Sequence, residues 1–147
     1  MNGEKLQKLK HKIFLFAILL FSACKAGFEP IDYGKEACAH CKMTIVDPRF
    51  ACEFITEKGR VYKFDDVLCM KKYTEEYKIP AEGTTFLVAE YYGEKDKFIN
   101  AANAVYLKNE LYASPMNGNM AAFNDVQTAN RLKDSLGIQP VSWSNIQ

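Results

Sequence analysis

Two thiols, an imidazole and a thioether fall within six residues, Cys38-Ala39-His40-Cys41-Lys42-Met43. Thiolates and thioethers are soft donors, and together they select Cu(I) over hard and borderline ions. The thioether discriminates, because zinc sites draw on Cys, His and carboxylate and do not ordinarily recruit Met. A Cys-x-x-Cys pair alone would fit zinc, redox or haem use, and haem attachment is disfavoured because Lys42 stands where a His would follow. Cys38, Cys41 and Met43 are therefore the candidate ligands. Met43 also opens an apolar run with Ile45 and reads alternatively as a core side chain. His40 reads equally as a ligand or as a solvated loop residue. A second thioether, Met116, lies in the turn Ser114-Pro115-Met116-Asn117-Gly118-Asn119-Met120. Turns lie at the surface, so Met116 is either a further soft ligand or a side chain folded back onto the domain.

Three other cysteines need assignment: Cys24, Cys52 and Cys69. Cys52 lies in the alternating segment Phe50, Cys52, Phe54 and reads as a packed small hydrophobe. Cys69 falls on a helix and reads as core, disulfide partner or outer ligand. In an exported protein the plain expectation for Cys38, Cys41, Cys52 and Cys69 is two disulfides.

The elements that position these groups follow from periodicity. Met43 to Val46 reads as a strand, Asp47-Pro48 as a turn, and Arg49 to Thr56 as an alternating strand joined through Lys58-Gly59 to a strand from Arg60 to Phe64. Asp65 or Asp66 can cap a helix carrying Val67, Met70, Tyr73 and Tyr77 at helical spacing and ending before Pro80. In the second half, Thr85 to Tyr92, Ala104 to Leu107 and Met120 to Phe123 read as strands. A helix from Asn124 to Leu136 follows, closed by Gly137 with Pro140 beyond it. Phe64-Asp65-Asp66-Val67 and Phe123-Asn124-Asp125-Val126 occupy the same place in the two halves. The expected fold is α+β, with two similar strand-strand-helix halves packed on one core.

The N-terminus reads as an address. Residues 1–12 are basic, Ile13 to Phe21 are wholly apolar, and Ser22-Ala23 lead directly to Cys24. Nine apolar residues rise only ~14 Å as a helix against roughly 30 Å for a bilayer core, so a signal peptide is the better reading than a spanning helix. Small residues before a Cys resemble the bacterial lipobox, although Phe21 stands where Leu is usual. The expected organisation is a lipoprotein signal peptide over 1–23, a lipidated Cys24 with its tether over 24–36, and a metal-binding domain over 37–147. Acyl chains worth ~0.8 kcal/mol per buried methylene would hold such a protein on a membrane. The first 23 residues hold four of the 19 basic side chains and one of the 18 acidic ones, so the remainder is slightly acidic. No clustered basic face is left to bind nucleic acid.

Together, Cys24, the Cys-x-x-Cys-x-Met loop, the Phe64-Asp65-Asp66 helix start and the Ser-Pro-Met turn followed by Ala122-Phe123 resemble the NosL family over roughly residues 24–137. The resemblance implies a copper-binding lipoprotein, anchored to the membrane and facing the periplasm, that serves assembly of the copper centre of nitrous oxide reductase. It implies nitrous oxide reductase or its maturation machinery as the partner. It also implies that Cys41 and Met43 correspond to the family's Cys-Gly-Met pair and Met116 to its later Pro-Met. Lys42 replaces the usual Gly, and Cys38 adds a thiol that many members lack. The fold implied is two strand-rich halves, each with a helix, related to the organomercurial lyase architecture. Two other classes share these residues. One is a structural zinc module, and the other is a thiol enzyme of the redox or mercurial-lyase type, with Asp65 or Asp66 as its general acid. Helix capping explains both aspartates without catalysis, and the expectation is a protein that is not an enzyme.

Overall fold

In a computed structural model of the chain, residues 27–146 are described; the segment expected to be a signal peptide, and Cys24, lie outside them. Strand β1 (Cys52–Ile55) is buried at all four positions and lies in the middle of a sheet. It pairs antiparallel with β2 (Val61–Phe64), Cys52 opposite Phe64 and Phe54 opposite Tyr62. Gly59, at φ 78°, supplies the left-handed residue of the connecting turn. Helix α1 (Val67–Glu76) follows β2 at once, because Asp66 caps it by accepting the Cys69 N–H. The chain then returns as β3 (Thr85–Ala89) on the other side of β1, with β4 (Phe98–Asn100) outside it, giving the order β2-β1-β3-β4.

The second half repeats this path with fewer strands. β5 (Val105–Lys108) pairs with β6 (Met120–Phe123), α2 (Val126–Leu136) follows, and β7 (Pro140–Val141) pairs with the free side of β5 in the order β6-β5-β7. Asp125 caps α2 by accepting the Gln127 and Thr128 N–H groups, as Asp66 caps α1. Gly137 closes it at φ 64°. Each half is thus a strand–strand–helix–strand unit with its first strand central. The four-residue repeat at the helix starts marks a repeat of topology.

Phe54 is the centre of the larger core. Its ring meets Tyr62, Phe64, Phe86 and Tyr73 at centroid distances of 4.8 to 5.9 Å, so α1, through Tyr73, covers this face of the sheet. The same core takes in Tyr106, Met120 and Ala122 from the second half. The halves are also tied by backbone, where the Tyr91 N–H donates to the Ala122 carbonyl at 2.9 Å.

Three expectations are corrected here. Thr85–Ala89 was expected in the second half, yet it pairs with β1, because the α1 crossover returns the chain to the open edge of that strand. Met43 to Val46 is not a strand; a single bridge joins Thr44 to Ala37. The folded chain also begins before residue 37. Ile31 is buried, the Gly34 N–H donates to the Ile45 carbonyl, and Lys63 Nζ donates to the Pro30 carbonyl and to Glu36. The segment expected to be tether is therefore a strap over the second face of β1. Among the described residues, no helix is long and apolar enough to cross a membrane.

Candidate metal centre

A short loop carries the first two thiols. The Cys38 N–H donates to the Met43 carbonyl at 2.8 Å, and the Lys42 N–H donates to the Cys38 carbonyl at 3.1 Å. The Ala39 N–H donates to the Lys63 carbonyl at 2.8 Å, which fastens the loop to the edge of β2. That edge strand ends in Phe64, and the next residues are Asp65 and the cap Asp66. Only one of the two can cap the helix. Asp66 does so, and Asp65 is left to point at the loop, where its Oδ2 accepts a hydrogen bond from Cys41 Sγ at 3.3 Å. Cys69 stands four residues after Asp65, a spacing that brings both to one side of the helix start.

The result is one group of four donors. One ligand atom from each of Cys38, Cys41, Asp65 and Cys69 lies within 4.8 Å of the others. Cys38, Asp65 and Cys69 are buried, at 0%, 1% and 1% exposure, and Cys41 is half-buried. The group thus opens to solvent at Cys41. Asp65 Oδ1 is buried without a hydrogen-bond partner. An orphaned buried oxygen costs about 1–3 kcal/mol, and a cation held by this carboxylate and the sulfurs beside it would relieve that cost. The four described cysteines are free, so the alternative of two disulfides is not what these residues form.

The thiols are not equivalent. The Cys69 thiol, followed by backbone N–H groups of Asp65, Cys41 and His40, holds Cys38 down to about 6 against its burial. Burial raises Cys41 to about 11, with Cys38 and Asp65 adding to the rise. Cys69 is raised, first by its bond to Cys38 and then by burial. One thiolate held between two thiols is a preformed place for a soft cation, which displaces the remaining protons as it binds.

The other candidates fall at different distances from this group. Met43 is 55% exposed, so it is not a core side chain; it stands at the rim of the loop. His40 faces Glu76, Nδ1 to Oε2 3.6 Å, and is outside the group. Cys52 is buried on β1 and donates to the Phe50 carbonyl at 3.1 Å, in keeping with a packed thiol. Met116 is half-buried against the larger core. Its turn is fastened to the metal side of the domain by Asp66, whose Oδ2 accepts from Ser114 Oγ at 2.8 Å and from the Met116 N–H at 3.2 Å. Gly118 permits that approach: a Cβ there would lie 3.1 Å from Leu68 Cβ and 3.2 Å from Asp66 Oδ2. One cap residue thus holds the N-terminus of α1 with one oxygen and the Ser-Pro-Met turn with the other.

Lys42 occupies a backbone position that suits Gly better than a residue with a side chain. Its φ is 67°, a left-handed conformation that costs a residue with a side chain about 1–2 kcal/mol. Lys42→Gly should raise stability by about 0.5–1 kcal/mol, read from the urea midpoint. An unchanged or lower midpoint would show that the contact from Lys42 Nζ to the Ala39 carbonyl outweighs the backbone strain.

Fold and site define a two-unit α+β protein with a sulfur-rich cation site where the helix start of the first unit meets its preceding loop. The sequence matches the NosL family over residues 31–147, and the chain belongs to that family. In structure it is similar to the crystal structure of the copper chaperone NosL from Shewanella denitrificans, with a TM-score of 0.69 and 16% identity. The match covers 83% of this chain and 96% of that one. No curated protein matches the chain in sequence.

Proposed function

We propose that the protein is a Cu(I)-binding lipoprotein that acts as a copper chaperone, taking up one ion at the Cys38, Cys41, Asp65, Cys69 group and passing it on. The observation that carries this reading is the meeting of three free thiols and the Asp65 carboxylate within 4.8 Å, with Cys38, Asp65 and Cys69 buried and only Cys41 partly open to solvent. Cu(I) is the ion that such a sulfur set favours. The family match and the copper chaperone of similar fold support the same cargo. Met43, exposed beside Cys41, and Met116, on the turn held by Asp66, supply neutral thioethers that bind the ion more weakly than thiolates. An acceptor protein can therefore displace them first. In this reading Cys24 carries the lipid that holds the domain at the periplasmic face of a membrane, and the acceptor is nitrous oxide reductase or its maturation machinery. The protein binds and releases; it turns nothing over.

Anaerobic titration with Cu(I) against a competing chelator, followed by X-ray absorption, tests the proposal. One Cu(I) per chain in an all-sulfur or sulfur-dominated shell is expected. A protein that leaves Cu(I) with the chelator, or that holds it on nitrogen and oxygen alone, would remove the reading. In the same titration Met116→Ala should weaken binding measurably with little loss of fold, because the turn is held by Asp66 and not by the Met side chain. Unchanged affinity and coordination in Met116→Ala would return Met116 to packing.

A further inference from the structure

The fold begins almost at the cysteine proposed to carry lipid. Gly27 is the first described residue, and the chain is joined to the sheet from the next one on. The Phe28 ring lies on Phe98 of β4 at a centroid distance of 4.9 Å, and the Pro30 carbonyl accepts from Lys63 Nζ of β2 at 3.0 Å. Residues 28–30 thus reach both outer strands of the four-stranded sheet. They do so on one face. Register places Lys63, Glu53, Leu87 and Asn100 side by side across β2, β1, β3 and β4, and Phe98, two residues from Asn100, shares their face. Phe54, next to Glu53, faces the other way and meets Tyr73 of α1. The strap and α1 therefore cover opposite faces of the sheet, and the metal group belongs to the α1 side, at the helix start.

Gly27 is only three residues beyond Cys24, so even a fully extended chain keeps the two within about 11 Å. A tether running to residue 36 would have given about 43 Å. With acyl chains on Cys24 in the hydrocarbon core and a headgroup layer roughly 5–8 Å deep, Gly27 can stand no more than about 6 Å clear of the headgroups. We infer that the strap face is the membrane face of the domain, resting on phospholipid headgroups with the sheet between the bilayer and α1. The inference rests on the proposed lipid at Cys24. Phe28 is 37% exposed, an aromatic ring of the kind that settles at headgroup level. Lys35 and Lys95 are exposed beside it, Lys95 with its Nζ 5.2 Å from the Tyr33 ring centroid. Glu29, Asp32 and Glu94 interleave with them in the strap and the β3–β4 turn, so the face is not a basic patch. The short reach of the chain holds it down, and added salt should leave the contact in place. The metal group then lies beyond the sheet from the bilayer, where an acceptor in the aqueous phase reaches Cys41 without passing beneath the domain.

The test compares the full lipidated chain, inserted into the outer leaflet of preformed phosphatidylcholine vesicles, with the Cys24→Ser protein in solution. Both are treated with a membrane-impermeant amine-acylating reagent and read by peptide mass spectrometry. On the vesicles Lys35 and Lys95 should lose most of their reactivity, while Lys72 and Lys78, exposed on and just after α1, should react as in solution. Six Gly/Ser residues inserted between Ala26 and Gly27 raise the reach to about 32 Å and should restore both lysines while the protein stays on the vesicles. Phe28→Trp supplies a second readout, which lipids brominated in the upper acyl chain should quench. Trp143, the one native tryptophan, packs on Phe86 on the α1 side of the sheet and should not be quenched. A lipidated, vesicle-bound protein whose Lys35 and Lys95 stay reactive, or whose Lys72 and Lys78 are shielded instead, would overturn the orientation and leave the anchor standing. An N-terminal peptide without lipid on Cys24 would remove the anchor, and the inference with it. Shielding that survives the inserted residues would overturn the short tether as its cause.

Discussion

Cys69→Ser should lower Cu(I) affinity by more than about 100-fold, since residues that merely orient metal ligands are already worth about 10–100-fold. Ser fits the site, because Cys69 is at the start of α1 and its N–H, not its side chain, makes the cap bond to Asp66. The fold should therefore survive with a loss of about 1 kcal/mol. The pH dependence distinguishes loss of a ligand from a general loosening. Cys38 sits at about 6, Cys41 at about 11, and Cys69 is raised. Above pH 6 a Cu(I) ion that engages all three sulfurs must displace two protons, from Cys41 and Cys69, so affinity should rise by about two log units per pH unit. In Cys69→Ser the hydroxyl can donate to Cys38 in place of the thiol and keep it low, so one of those protons is gone and the slope should fall to about one. The sign follows from the direction of the shifts, because protons held more tightly by the free protein compete more strongly with the metal. A variant with the wild-type slope would place Cys69 outside the metal's coordination, whatever its affinity.

Much of this site was legible in the sequence, and the missing part has a physical cause. Cys38 and Cys41 were found because their spacing is local. Cys69 was seen but left open among three roles, and Asp65 was read as a cap, because two adjacent aspartates before a helix both satisfy the capping rule. A spare carboxylate next to a cap, with a Cys four residues later, is a signal that could have been used, since the pair shares one side of the helix start. Met116 shows the opposite case. Ser114-Pro115-Met116 was singled out as a ligand turn because an apolar side chain in a Pro/Gly turn lacks a burial reason, yet Met116 packs half-buried against the larger core, which is the alternative given for it. The fold was legible where alternation or helical spacing was strong, so Met120–Phe123 has the ends expected of it. The three-residue β4 and two-residue β7 carry too short a pattern to read, and β3 was placed in the wrong half because strand partners are non-local.

In β1 the apolar Cys52 and Phe54 alternate with Glu53, yet all four residues of the strand are buried, so the face that carries Glu53 is covered too. In the protein the strap from Phe28 to Glu36 lies over that face, and Glu53 is 0% exposed. No well-formed hydrogen bond reaches either of its carboxylate oxygens, and the Glu29 backbone N–H nearby only partly offsets the burial. The cation opposite it in register, Lys63, gives its Nζ hydrogen bonds to the Pro30 carbonyl and Glu36 instead. Burial therefore raises Glu53 from 4.5 to about 7. For an acid raised in the folded state, the unfolded chain binds fewer protons between those two values, so stability falls as pH rises from about 4.5 to 7. The full cost, roughly 3 kcal/mol at 1.36 kcal/mol per pH unit, is felt above 7. Glu53→Gln removes the charge and keeps the shape. Because the amide still needs partners under the strap, the expected gain is about 1–3 kcal/mol at pH 8 and close to zero at pH 4. Urea denaturation of the two proteins at both pH values measures it, and the stability curves should converge as pH falls. Curves that stay parallel across the range would mean that Glu53 reaches water or a cation in the folded state, and that the strap does not seal this face of the sheet.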